Sequence, residues 1–383
     1  MRVCYVAATV RPTDGWGRYA RELVAAAPAA GIEPVLVTAR RDGGEPAAAV
    51  ERYPVLPPLL AGRCELVRSL LRAPALRRIA RSCEVVHCLV EPWLPLAALA
   101  VPANMPLVQT AHGSWAVHPL RRPLVRHVFA RALARTDLLI CQSRVTRDAV
   151  AALATPPRSE VLAGGVDPEA YIGPVGPPPP GWPVQGRVVL SVGALKPRKG
   201  HEIALEAIAG LASSHPELRL VVVSGRTGRS LHADALRRRA AALGIGDRVH
   251  WLAELSDAEL VACYRRAALF LLLPVAHGGS FEGLGLVFLE AAAAGIPAVG
   301  TLGSGAVDAV AEDVTGLLVP PGDAPAAAAA IDRLLRDPAL AERLGRAAQA
   351  AARRRSWSNL AQALAGRYRD LVERRAVIRG GAP

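Results

Sequence analysis

The sequence predicts an α/β protein of two doubly wound domains, each built on a buried parallel sheet. Three observations carry this. The chain has 383 residues, more than one ordinary hydrophobic core accommodates. Its apolar runs are short (Val3–Val6, Val35–Val37, Val85–Val90, Leu138–Ile140, Val188–Val192, Leu218–Val223, Leu269–Leu273) and alternate with helix-like segments. That is the pattern of βα units with strands buried on both faces. Midway, P-V-G-P-P-P-P-G-W-P over 174–183 can form neither helix nor central strand and reads as a surface linker.

The elements follow in order. Residues 1–170 form the first domain. Strand Val3–Thr9 leads into the loop Asp14-Gly15-Trp16-Gly17, then a helix through Ala30. Later strands end at Thr38, near Val90, at Thr110 and at Cys141. Residues 171–185 are the linker and 186–355 the second domain. Its strand Val188–Val192 enters the loop V-G-A-L-K-P-R-K-G, and a helix starts at His201. Strands ending at Gly225, at Leu252, at Leu273 and at Val319 follow. Residues 356–383 are a terminal helix. In doubly wound sheets ligands bind outside the carboxyl ends of strands. The lysine loop, Gly225, the segment after Leu273 and the loop Thr301–Gly305 should therefore converge on one mouth. The first domain's mouth carries Gly15–Gly17 and Thr110–Gly113, and two facing mouths would make a cleft.

Net charge is +13. Residues 1–165 contribute a surplus of nine (21 Arg against 12 Asp and Glu), with clusters at Arg63–Arg81 and Arg121–Arg135. Such clusters suit anionic membrane surfaces or acidic acceptors, or are simply solvated helix faces. No helix-turn-helix, zinc or RNA-binding signature accompanies them, so nucleic acid is not expected as a partner. No apolar run reaches a membrane span, and Met1-Arg2-Val3-Cys4-Tyr5 enters a strand directly, without a signal peptide. Cys4, Cys64, Cys83, Cys88, Cys141 and Cys263 show no C-x-x-C pair and read as reduced, mostly buried thiols of a cytoplasmic protein, peripheral at the inner face of a membrane if the basic clusters serve that purpose.

The most informative segment is E-G-L-G-L-V-F-L-E at 282–290. Glycines let the backbone approach a ligand closely. The run Leu286–Ala294 reads as a helix closed by Gly295-Ile296-Pro297. Its first turn would aim unpaired N–H groups beside Gly285, which attracts phosphate. Glu290 lies about 7 Å further along the axis, where it can accept hydrogen bonds from sugar hydroxyls. The chain has 44 arginines and only two lysines, Lys196 and Lys199, both in the loop after Val192. A compact ammonium kept there suits a phosphate site.

These residues resemble the retaining family 4 glycosyltransferases (group 1 glycosyl transferases) of the GT-B fold, over nearly the whole chain. The acid–seven–acid pattern of Glu282 and Glu290 is the most specific element. G-W-G-R-Y-A-R-E-L at 15–23, A-H-G at 111–113, G-V-D-P-E-A-Y at 165–171, V-G-A-L-K-P-R-K-G at 192–200 and T-G-L-L-V-P-P-G-D at 315–323 support it. The resemblance implies two Rossmann-like domains with the terminal helix crossing back onto the first. It implies transfer of a sugar, with retention and without a metal or cofactor, from a UDP- or GDP-sugar to a glycan, lipid-linked or small-molecule acceptor. Lys199 would bind the donor diphosphate and Glu282 the transferred sugar. Glu290 would bind the ribose. Backbone groups of Gly283, Leu284, Gly285 and Leu286 would line the phosphate. His112 would reach the sugar or diphosphate, Gly15 and Gly17 would admit the diphosphate, and Gly225 would line the same mouth. Glu282, His112 and Lys199 are the expected catalytic residues.

The chain departs from the family where an arginine often follows the strand, as V-G-R-L. Here it is Ala194, and Arg198 beside Lys199 is the candidate replacement. Gly164 stands for the usual asparagine, and 275–280 is richer in small residues. Other readings are a same-fold sugar-nucleotide epimerase or phosphorylase, a non-catalytic binding protein, and an NADP-dependent oxidoreductase. The last reads G-W-G-R-Y-A as a dinucleotide fingerprint with Arg40 and Arg41 near the second strand's end. Against it, Val10–Asp14 separate strand from glycines, whereas that fingerprint enters its turn directly.

Overall fold

In the computed structural model residues 1–12, 15–40, 42–46, 49–58, 65–156, 158–225 and 230–380 are described. Asp14, Arg41, Arg63 and Cys64, which figure in the sequence reading, lie outside them. The chain divides into two compact units, Met1–Gly165 with Trp357–Pro383, and Val166–Ser356.

The first unit holds β1 (Arg2–Val6), β2 (Glu33–Ala39), β3 (Glu51–Leu56), β4 (Val85–Cys88), β5 (Leu107–Ala111), β6 (Leu138–Cys141) and β7 (Ser159–Val161). They form one parallel sheet in the order β3-β2-β1-β4-β5-β6-β7. The second unit holds β8 (Arg187–Val192), β9 (Leu218–Ser224), β10 (Val249–Ala253), β11 (Leu269–Leu271), β12 (Ala298–Thr301) and β13 (Gly316–Val319). Their order is β10-β9-β8-β11-β12-β13, again all parallel. Each sheet reverses its winding between its first and fourth strands, β1/β4 and β8/β11. Such switch points open a crevice at the strands' carboxyl ends. The core strands are buried throughout, as at Val3–Val6 and Leu269–Leu271, which is why they read as continuous apolar runs.

The edge strands β3 and β7 were not singled out from the sequence. Pro54 sits within β3 and β7 is three residues long; both features belong to sheet edges. The first strand is also shorter than the expected Val3–Thr9. It stops at Val6 because the next residues turn to Asp42: the Thr9 hydroxyl donates to Oδ1 at 2.8 Å and the Val10 N–H to Oδ2 at 3.0 Å.

Division of the chain falls at Gly165/Val166 rather than at 170, because the Val166 N–H donates to the Arg355 carbonyl at 2.9 Å and Val166 pairs with Ser356. The proline-rich stretch belongs to the second unit. Arg265 donates to the Gly173 carbonyl, Arg266 to that of Gly176 at 2.8 Å, and Tyr171 packs edge-on against Tyr264. Helix Trp357–Gly380 belongs to the first unit, where it packs on helix Gly15–Ala26. A buried chain of contacts fixes it: His87, on β4, bonds the Tyr368 hydroxyl at 2.6 Å through Nδ1 and Thr110 at 2.7 Å through Nε2. Burial, with a smaller push from His112, holds the His87 ring neutral, its pKa lowered to about 3.

Candidate active site

In the second unit the site is assembled from the two loops that leave the switch point. After β8 the chain runs through Gly193 and Ala194 into a turn, Pro197–Lys199, closed by Gly200 at φ +69°. A side chain at Gly200 would meet the Leu273 carbonyl at 1.8 Å, so only glycine lets this turn lie against the end of the neighbouring strand's run. The Val275 N–H then donates to the Arg198 carbonyl at 3.0 Å and ties the two loops together. Beyond Val275 the small-residue segment makes a tight turn, His277 and Ser280 exchanging backbone hydrogen bonds of 2.9 Å around Gly278 and Gly279.

Glu282 follows. Its carbonyl accepts from the Gly305 N–H at 3.0 Å, from the loop after β12. Its side chain is buried, and its Oε2 accepts from Lys199 Nζ at 2.8 Å and from Arg198 Nη1. Burial alone would raise the carboxyl's pKa. The charges of Lys199 and Arg198 overcome that and hold it below the usual range. The same cluster acts outward: burial and the charges of Arg198 and Lys199 lower Lys196, and burial with Lys199 pushes His201 down to about 4.

Gly283, Leu284 and Gly285 are buried between Glu282 and helix Leu286–Ala293. Gly285 caps that helix at φ +77°, a conformation that suits glycine. The helix turns Glu290 inward at 5% exposure, where the Tyr264 hydroxyl donates to its Oε2 at 2.7 Å. Arg198, Lys199, Glu282 and the helix N-terminus therefore share one mouth. Gly225 stands exposed just after β9, beside residues outside the description.

In the first unit the equivalent loops carry His112 and Glu91. His112 is half-buried after β5; its Nε2 donates to the Leu89 carbonyl at 2.7 Å, and its ring meets Tyr19 edge-on at 4.8 Å. Burial pushes its pKa down to about 4 despite the Leu89 bond. Glu91, after β4, is 3% exposed, and its Oε1 accepts the His112 N–H at 2.7 Å. Burial pushes it up to about 8 against those amide bonds. Sequence reading missed Glu91, although an acid closing an apolar run just before Pro92 was the available signal. Gly15 opens helix Gly15–Ala26 with open space around it. Gly17 is different: a side chain there would meet the Arg11 carbonyl at 2.0 Å. That glycine lets the chain's own loop cross the helix, so its close approach is to Arg11. The dinucleotide reading loses its geometry too, because β1 ends at Val6, well before Gly15.

Two family models match the chain, Glycosyltransferase Family 4 over residues 13–170 and Glycosyl transferases group 1 over 177–351. A D-inositol 3-phosphate glycosyltransferase of Corynebacterium aurimucosum is 32% identical over 294 residues, 70% of this chain and 67% of that protein. The chain belongs to the family 4 glycosyltransferases. A protein of the same name from Acidothermus cellulolyticus is 43% identical over 201 residues, 51% of this chain. That match spans 44% of the Acidothermus protein, and others span about half of their relatives. Among solved structures, a sucrose-phosphate synthase of Thermosynechococcus elongatus covers 98% of the chain and is itself wholly covered, at TM-score 0.80 and 22% identity. Anabaena HepE with UDP and glucose covers 97%, is wholly covered, and scores 0.78 at 19% identity. Both likenesses are of fold, and with the two parallel-sheet units they make this a GT-B glycosyltransferase architecture. No helix among the described residues is long and apolar enough to cross a membrane, and no described cluster of three or more His, Cys, Asp or Glu could hold a metal.

Proposed function

We propose that the protein moves a sugar, with retention and without a metal, from a UDP- or GDP-sugar to a hydroxyl of a glycan, lipid-linked or small-molecule acceptor. One observation carries the reading: two cations meet a single buried carboxylate at the mouth of the second sheet, beside a helix N-terminus. An ammonium has three donors and a guanidinium five, so Lys199 and Arg198 can hold Glu282 and diphosphate oxygens together. Arg198 in this way stands in for the arginine that Ala194 lacks. The names of relatives support a sugar-alcohol phosphate among candidate acceptors, and the HepE complex supports a uridine diphosphate donor.

Departure of the diphosphate builds negative charge, and preorganised cations stabilise it where it develops. Lys199, Arg198 and the first-turn amides of helix Leu286–Ala293 do so here. The bond from the anomeric carbon to the leaving phosphate oxygen breaks while the acceptor oxygen bonds the same face. The acceptor's proton passes to that phosphate oxygen. Glu282 orients the sugar, Glu290 holds the ribose, and His112, neutral and fixed by Leu89, presents its other ring nitrogen to the sugar or diphosphate. The basic first unit contacts an anionic membrane surface at the cytoplasmic side.

The test is a thermal-shift screen of UDP- against GDP-sugars, then turnover with the stabilising donor. Nucleoside diphosphate released only with acceptor, and a product of unchanged anomeric configuration by NMR, are expected. An inverted product overturns retention, and donor binding with no turnover on any acceptor overturns the transferase reading in favour of a binding protein.

A further inference from the structure

The helical layer that covers one face of the first sheet has a charge pattern that the sugar site does not use. The crossovers β3→β4, β4→β5 and β5→β6 all run in one direction along the sheet, so right-handed connections place their helices on the same face. The longer of those helices are Glu65–Leu70, Ala73–Ala80, Leu94–Ala100 and Arg126–Ala134. Helix Leu94–Ala100 packs against the other three. Helix Gly15–Ala26 and the terminal helix, which follow or cover the opposite winding, pack on each other instead.

No aspartate or glutamate occurs between Glu65 and Glu84, nor between Glu91 and Asp137, while the two stretches together hold ten arginines. Two are structural: Arg77 donates to the Leu99 and Ala100 carbonyls, and Arg135 to those of Pro102 and Met105. Of the rest, Arg68, Arg78, Arg81, Arg122, Arg126 and Arg131 are exposed. Three of the acids bounding the stretches are engaged elsewhere. Glu84 accepts the Arg2 N–H, Asp137 pairs with Arg375, and Glu91 is buried. Large apolar side chains protrude among these arginines: Leu71 at 73%, Leu124 at 92%, Val67 at 59% and Leu99 at 51% exposure. Protruding apolar side chains set among exposed arginines suit a surface that enters a headgroup layer.

We propose that this layer is the membrane-docking surface, with Leu124 and Leu71 inserting among the headgroups of an anionic bilayer and the surrounding arginines held by lipid phosphates. The proposal refines the membrane contact suggested above and assigns it to one face of one unit. An arginine near an anionic surface contributes about fivefold to partitioning, so the exposed set is ample for reversible binding.

The experiment is flotation of the full chain with phosphatidylcholine vesicles, with and without added phosphatidylglycerol. Wild type is expected to float only with the anionic vesicles, less so as salt rises. The triple variant R122Q/R126Q/R131Q should lose on the order of a hundredfold in partitioning, and Leu124→Ser a smaller factor at any salt. R237Q/R238Q/R239Q, which removes the same charge from an exposed helix of the second unit, should float like wild type. Equal loss in both triples, floating of R122Q/R126Q/R131Q like wild type, or no floating of wild type overturns the proposal. Wild type that ignores vesicles but binds soluble polyglutamate also overturns it, in favour of an acidic protein partner. Flotation needs no turnover, so its failure leaves the transferase reading standing, and absence of transfer leaves the docking surface standing.

Discussion

The loop after β11 holds a buried carboxylate against two cations, whereas the loop after β4 holds one against the backbone amide of a histidine. The positions are equivalent, since each follows the fourth strand of a sheet at its switch point. Their electrostatics are opposite. Glu282 is kept ionised by Lys199 and Arg198. Glu91, without a cation, is pushed up to about 8, and His112 beside it down to about 4. One mouth is therefore a place of full charges and the other a place of neutral donors and acceptors. The difference teaches that a common topology sets only where chemistry can happen. The side chains that follow the strands decide whether it suits a diphosphate or a hydroxyl.

The largest test of that contrast removes the charges. Lys199→Ala should lower kcat on the order of 10²–10³-fold, as loss of one preorganised donor to a developing anion does. Arg198→Ala should fall short of that yet remain well outside error. An Arg198→Ala enzyme with unchanged donor affinity and turnover would show that Arg198 does not replace the arginine missing at Ala194. The two acids should then divide. Glu282→Ala should act mainly on kcat. Glu290→Gln should weaken donor binding on the order of tenfold with a smaller effect on turnover. The reverse division, read from steady-state kinetics and donor titration, would exchange their roles.

Much of the charged mouth was legible in the sequence and little of the neutral one. Lys199, Glu282 and Glu290 stand in short motifs whose glycines and spacing betray a loop entering a helix, and the strands around them are apolar runs. Arg198 was legible as a neighbour of Lys199, but its place on Glu282 depends on Gly200 letting the turn lie against Leu273. Glu91 meets His112 only because β4 and β5 pair in register. Tyr264 meets Glu290 from the preceding helix, across a strand and a long loop that separate them in the chain. No local pattern announces such meetings. Gly17 warns in the other direction, since a glycine in a motif can serve the chain's own packing.

The neutral mouth has a pH signature. Folded Glu91 keeps a proton that the unfolded chain releases above the ordinary carboxylate range, so its contribution to stability declines as pH rises from that range to about 8. His112 runs the other way: its lowered pKa gives stability that is lost as pH falls from the ordinary histidine range toward about 4. Glu91→Gln should remove the alkaline decline and leave the acid one, a change of a few degrees in melting temperature. A melting curve across pH that keeps its alkaline slope in Glu91→Gln would mean that another group carries it.

The smallest expected effect lies in the charged mouth and concerns its support. Tyr264 donates to Glu290 at 2.7 Å while its ring packs between Tyr171 and Phe270. Tyr264→Phe keeps that packing and removes one hydrogen bond to a carboxylate. Such a bond is worth about 1.5–3 kcal/mol when made to a charged group, but Glu290 keeps its place on the helix, so only its aim loosens. Donor affinity should fall about three- to tenfold, kcat should hold, and the Glu290→Gln background should abolish the difference. If Tyr264→Phe weakens donor binding as much in Glu290→Gln as in wild type, the hydroxyl acts on something other than Glu290. The two residues would then have to be treated as separate parts of the site.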